Sequence, residues 1–180
     1  MNTRRILLGL ALATTLASGC ADDNVRSELY VSVINNSEAL TSDVYNFGSD
    51  DVPSGDDFVI EDEVEIEIIS QARDGIVNVS SGKFGSMTIE RYTVVFESDE
   101  EIESYSSTLG WVVPVNTIFE GFITIVPASL KQQTPLIALQ SGGEIHANAV
   151  VTFYARESES DNETTFQTRI PVNFANWVDG

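Results

Sequence analysis

The chain is poor in the side chains that carry most enzyme chemistry. It has one cysteine and one histidine among 180 residues. One cysteine excludes an intrachain disulfide framework and a zinc–thiolate cluster. One histidine leaves little room for imidazole catalysis. Basic residues are scarce as well, with 9 Lys and Arg against 28 Asp and Glu and a net charge of −19. Phosphate binding needs a basic footprint, so nucleic acid is excluded as a partner. The same deficit argues against peripheral attachment to anionic lipid. Helical periodicity is nearly absent, no internal repeat is visible, and no Pro/Ser-rich linker divides the chain. Hydrophobic residues make up 42%, which is enough for a sizeable core and argues against wholesale disorder.

The N-terminus has the layout of an export signal. Arg4 and Arg5 supply a positive start, Ile6 to Leu16 is an apolar run too short to span a bilayer, and Ala17, Ser18 and Gly19 lead to Cys20. The residues before Cys20 resemble a lipobox, the processing signal of bacterial lipoproteins, with Leu16 one place earlier than usual. The resemblance covers only the N-terminus. It implies removal of residues 1–19, diacylglycerol on the Cys20 thiol and acylation of the new amino group. The alternative is a secretory signal cut near Ala17 or Gly19 that leaves Cys20 as a free thiol. An unpaired thiol in an oxidising compartment is a liability, which favours acylation. Two or more acyl chains anchor stably where one does not. Ala21 after the cysteine resembles the sorting pattern of outer-membrane lipoproteins. Asp22 and Asp23 resemble the acidic start of surface-exported ones. Loss of Arg4 and Arg5 takes the basic count from 9 to 7 and the side-chain charge to −21.

The mature part reads as a polar tether over 20–27 and one domain over 28–180. Alternation predicts strands at Glu28–Ile34, Val64–Ile69, Glu144–Arg156 and Thr165–Phe174, and runs of β-branched, aromatic or other apolar residues predict them at Met87–Glu97, Leu109–Val115 and Thr117–Val126. Pro114 places the end of its run at an edge or a turn. Ala128–Leu139 has room for a turn or two of helix, limited by Pro135. The fold class is therefore all-β, an antiparallel β-sandwich of about seven to eight strands. Its element order resembles an immunoglobulin-like domain, without the paired cysteines or the core tryptophan position of antibody domains. ERYTVVF, VTFYARE and PVNFANWVD resemble segments of uncharacterised bacterial lipoproteins, which implies no activity.

Candidate sites are few. His146 sits on the polar side of a strand, and no G-x-S-x-G elbow accompanies it. Paired carboxylates of a glycosidase would have to face a cleft, and no long cleft-forming insertion is present. The loop over 43–63 carries Asp43, Asp50, Asp51, Asp56, Asp57, Glu61 and Asp62 among Gly and Pro. Such oxygen-rich loops suit calcium, although no EF-hand spacing occurs. A solvated acidic loop is the simpler reading. Asp99, Glu100, Glu101 and Glu103 read as a charged turn. Glu63, Glu65 and Glu67 share one strand face at about 6.6 Å spacing. They are expected to be exposed or to face a base such as Arg91 or Arg169. Tyr105, Trp111 and Trp177 lie outside clean core alternation and are candidate stacking platforms for a glycan, or simply rim packing.

The expected function is a non-catalytic binding or assembly module, lipid-anchored in the bacterial cell envelope. Its partners are the membrane, through Cys20, and another envelope protein or glycan. A calcium-dependent or aromatic-platform carbohydrate binder and a carboxylate-based hydrolase are the alternatives. No cofactor is expected apart from possible calcium.

Overall fold

The computed structural model describes residues 25–45, 59–73 and 85–177. The chain forms β1 (Ser27–Ile34), β2 (Leu40–Asp43), β3 (Asp62–Ala72), β4 (Met87–Glu97), β5 (Tyr105–Val113), β6 (Thr117–Val126), a one-turn helix α1 (Ala128–Lys131), β7 (Glu144–Glu157) and β8 (Glu163–Ala175). Short 3-10 turns occupy Asn35–Ser37 and Leu136–Ser141. Among the described residues no helix is long and apolar enough to cross a membrane.

The strands form two sheets, β1-β3-β6 and β2-β8-β7-β4-β5, and the all-β expectation holds. The larger sheet is curled. Among the described residues every pairing is antiparallel except β2 with β8, which is parallel. That exception corrects the expectation of a purely antiparallel arrangement. Its cause is the turn at Asn35–Ser37, where three consecutive residues have positive φ of 48°, 51° and 65°. Asn tolerates the left-handed region better than most residues. The kink lets the chain leave the smaller sheet and join the edge of the larger one without reversing direction.

Alternation fixes which side chains face inward. On β7, Ile145, Ala147, Ala149, Val151, Phe153 and Ala155 are all buried. The small alanines leave room for large neighbours: Ala149 lies opposite Phe96 and Ile170, and Ala155 opposite Ile89. Tyr92, Phe153 and Phe166 form an aromatic row across β4, β7 and β8, with ring centroids 6.0 Å and 4.9 Å apart. From the smaller sheet, Val64, Ile66, Ile68, Ile123 and Ile125 close the core from the other side. At about 25 cal/mol per Å² of apolar surface, this burial is the main stabilising term.

Val25 is buried and Ser27 is the first residue of β1, so the packed domain begins inside the segment expected to be tether. β2 was not expected from the sequence, because LTSD is only four residues long. Pro114 follows the last residue of β5, an edge strand, as its chemistry requires. α1 ends four residues before Pro135, in the stretch expected to hold a turn or two of helix.

Candidate functional site

Strand register sorts the loops into two poles. Ser27 pairs with Ala72, and Met87 with Val113 and Glu157, so these positions share the end where the N-terminal segment joins the domain. There the Glu157 carboxylate, itself buried, accepts from the Arg26 amide at 3.2 Å and from the Ser160 hydroxyl. Ser27 Oγ donates to Gly85 O at 2.7 Å. At the opposite end Asp62 pairs with Val126, Val94 with Tyr105, and Asp43 with Ala175. Of the described candidates read from the sequence, Asp43, Glu61, Tyr105 and Trp177 lie at this distal pole.

Its organising group is Lys131, which the sequence did not single out. α1 turns this residue into the protein, and its side chain is 1% exposed. Nζ donates to Asp43 O at 2.7 Å and to Asp62 Oδ1 at 2.8 Å. One ammonium thus ties the end of β2, the start of β3 and α1, and it closes both ends of the acidic loop. Burial raises the Asp62 pKa above the ordinary carboxylate value, and the Lys131 hydrogen bond opposes the rise. The Ser42 hydroxyl, also buried, lies beside the Asp62 carboxylate and opposes the rise as well.

The expected calcium ligands fare differently from one another. Asp43 Oδ1 accepts from the Tyr45 and Trp177 amides, each at 3.3 Å, so this carboxylate is engaged with backbone. Glu61 is exposed. Asp50, Asp51, Asp56 and Asp57 lie outside the described residues, as does Cys20. Among the described residues no group of three His, Cys, Asp or Glu is placed to hold a metal ion. At the β4–β5 turn, Asp99, Glu100, Glu101 and Glu103 are exposed around the buried Ile102, which anchors the turn.

The aromatic candidates separate by burial. Tyr105 is half-buried, and its hydroxyl donates to Thr124 O, the carbonyl that also accepts from Tyr92 at 3.0 Å. Burial, then Tyr92, then Glu61 hold the Tyr105 phenol above its ordinary pKa. Two strands of the larger sheet are thereby tied to one carbonyl of the smaller. Trp111 is half-buried against Phe119, centroid to centroid 4.9 Å, and lies over Gly121. It seals the side of the core between β5 and β6. Trp177 is the open one, 40% exposed at the distal pole, with Ile60 and Ile137 also exposed there.

His146 is on the surface, with Nδ1 2.8 Å from Asn173 Oδ1 and Nε2 3.2 Å from Glu144 Oε1. Neither arginine suggested for the glutamate row faces it. Arg91 lies over the Tyr154 ring at 3.4 Å, and Arg169 pairs with Glu97 at 2.5 Å, both on the larger sheet. Glu63, Glu65 and Glu67 lie on the outer face of the smaller sheet, where Glu67 is directly opposite Glu120. The Ser32 hydroxyl donates to Glu67.

No protein-family model, no curated protein and no solved structure matches the chain.

Proposed function

We propose that the mature chain is a lipid-anchored protein of the bacterial cell envelope, attached through acyl groups on Cys20, whose single domain is a non-catalytic binding or assembly module. The domain is an immunoglobulin-like sandwich in this reading. The support is the strand order: β1-β3-β6 corresponds to strands A, B and E, and β2-β8-β7-β4-β5 to A′, G, F, C and C′. The parallel β2–β8 pair is the A′–G pair of that scheme.

The observation that carries the functional reading is the polarity of the domain. The N-terminal segment joins at one pole, while Lys131, the roots of the acidic loop, the 99–103 turn and Trp177 gather at the other. A tether at residue 20 would hold the proximal pole toward the membrane and present the distal pole and the sheet faces outward. The acidic surface would repel anionic headgroups, so the membrane would be touched only by the acyl chains. The anchor would lie in the outer membrane, with the domain facing periplasm or medium. The partner would be another envelope protein or a glycan.

The anchoring half is tested by Cys20→Ser. Loss of membrane attachment and of the acyl mass is expected; unchanged fractionation and mature mass would overturn it. The binding half is tested by photo-crosslinkers at Ile60, Ile118 and Trp177 in native membranes. A discrete adduct from at least one position is expected, and none from any would overturn it.

A further inference from the structure

We infer that the outer face and open edge of the β1-β3-β6 sheet form a docking surface for an extended, basic, apolar-studded segment of another protein. The inference rests on the binding-module reading and gives it a surface and a partner chemistry. Cross-strand register builds the surface. Tyr30, Ile69 and Ile118 lie in one row across the three strands, Glu67 faces Glu120 in the next, and Glu65 faces Phe122 in the one after. Ile118 and Phe122 are 62% and 63% exposed, the two most exposed large apolar side chains among the described residues. Exposed apolar clusters rimmed by polar groups mark interaction sites.

The charge on this face has one sign. Glu63, Glu65, Glu67 and Glu120 form no ion pair with any described residue. The six described basic residues are placed elsewhere: Arg26 and Arg73 at the proximal pole, Lys131 inside the domain, and Arg91, Arg156 and Arg169 on the larger sheet. Like charges directly opposite one another destabilise a sheet. Glu67 and Glu120 are such a pair, and a bound cation between them would remove the penalty. An anionic membrane is excluded by the same charges.

The strand order adds the backbone component. β6 is an edge strand, with no neighbour beyond it among the described residues. Strand addition gives affinity through main-chain hydrogen bonds and specificity through alternate side chains. Along β6 the outward side chains read Ile118, Glu120, Phe122. An added strand that matches them carries apolar, basic, apolar side chains on one face, at every second residue. Trp111, packed on Phe119 and Gly121, closes the inner side, so the outward side remains for recognition.

The probe is a Lys–Val peptide of about nine residues in which every second residue runs Val, Lys, Val, Lys, Val with Ser between them, so that one face matches β6 and most of that 10-residue strand is covered. An all-Lys peptide and the same peptide with Glu in place of Lys are compared with it. Binding to the full chain carrying Cys20→Ser is followed by anisotropy, and the site by amide chemical shifts. The Lys–Val peptide is expected to bind tightest and to shift residues 63–69 and 117–124. Glu65→Gln/Glu67→Gln/Glu120→Gln, and separately Phe122→Ser, should each weaken it by at least about fivefold. Glu100→Gln/Glu101→Gln/Glu103→Gln removes the same charge at the distal turn and should cost less than about twofold.

Equal losses from the two triple variants, equal binding of the all-Lys peptide, or shifts centred on the distal pole would overturn the inference in favour of diffuse attraction to an acidic protein. A dimer in sedimentation that Phe122→Ser abolishes would overturn it in favour of a second copy. Since the readout uses the Cys20→Ser chain, a failed anchor and a failed docking surface are distinguished.

Discussion

Lys131 Nζ sits 2.8 Å from Asp62 Oδ1 in a position almost closed to water, and the same nitrogen holds Asp43 O at 2.7 Å. A buried charge is costly alone and tolerable when paired and hydrogen-bonded. The distal pole is therefore organised by a cation that belongs to the chain. It gathers two strands, one from each sheet, and a helix turn.

Replacing the cation tests this directly. Lys131→Met leaves the Asp62 carboxylate and the Asp43 carbonyl without their donor, and breaking a buried pair from one side costs about 3–5 kcal/mol. The urea midpoint is expected to fall accordingly. Asp62→Asn should cost less, because Lys131 keeps the Asp43 carbonyl as acceptor. A Lys131→Met midpoint within error of the parent would remove Lys131 from its organising role.

Asp62 also sets a pH dependence. Its folded-state pKa is raised above the ordinary value of 3.8, chiefly by burial. The folded state then holds the proton more tightly than the unfolded chain. The stability this contributes is fully present below pH 3.8 and is lost as pH rises through the folded value. Relative to Asp62→Asn, the parent should lose stability across the window that opens at 3.8. Parallel curves of melting temperature against pH for the two proteins would contradict it.

Gly121 is required by its neighbours. A Cβ there would stand 2.9 Å from Trp111 Cη2 and 3.0 Å from Phe119 Cε1. Gly121→Ala should displace the indole and cost about 1–3 kcal/mol, the usual range for overpacking. Tryptophan fluorescence should shift with it. Trp111→Ala removes the obstacle, so the double variant should be less unstable than the sum of the two singles. Additive losses would mean that the two residues do not meet.

The shared carbonyl of Thr124 predicts coupling between two phenols. Tyr92→Phe and Tyr105→Phe each remove a hydrogen bond, worth about 0.5–1.5 kcal/mol. The first removal leaves the carbonyl satisfied by the second hydroxyl. Only the double variant strands it, so the double loss should exceed the sum. A thermodynamic cycle in urea measures the difference.

Much of the architecture was legible because its signal is local. Strands β4 and β6 coincide with their sequence-derived ranges, and β7 and β8 differ by one or two residues at their ends. In β7 and β8, period-2 alternation over ten or more residues specifies both the element and its buried face. β2 was missed because four residues with two buried positions give no such pattern. The exposed pair Ile118 and Phe122 was hidden for the opposite reason. TIFEGFITIV is apolar on both faces, and alternation cannot tell a doubly covered strand from one with an open side.

The amino-acid sequence alone determined an all-β domain with few cysteine, histidine and basic residues and a large acidic excess. Composition and alternation are enough for that, since they depend on neighbours along the chain. Only the tertiary structure decided where the charges went. It turned Lys131 inward to Asp62 and placed the described arginines at the proximal pole and on the larger sheet. It also left Glu65, Glu67 and Glu120 among Ile118 and Phe122 on the other sheet. Those placements follow from strand register and sheet order, which join residues dozens of positions apart.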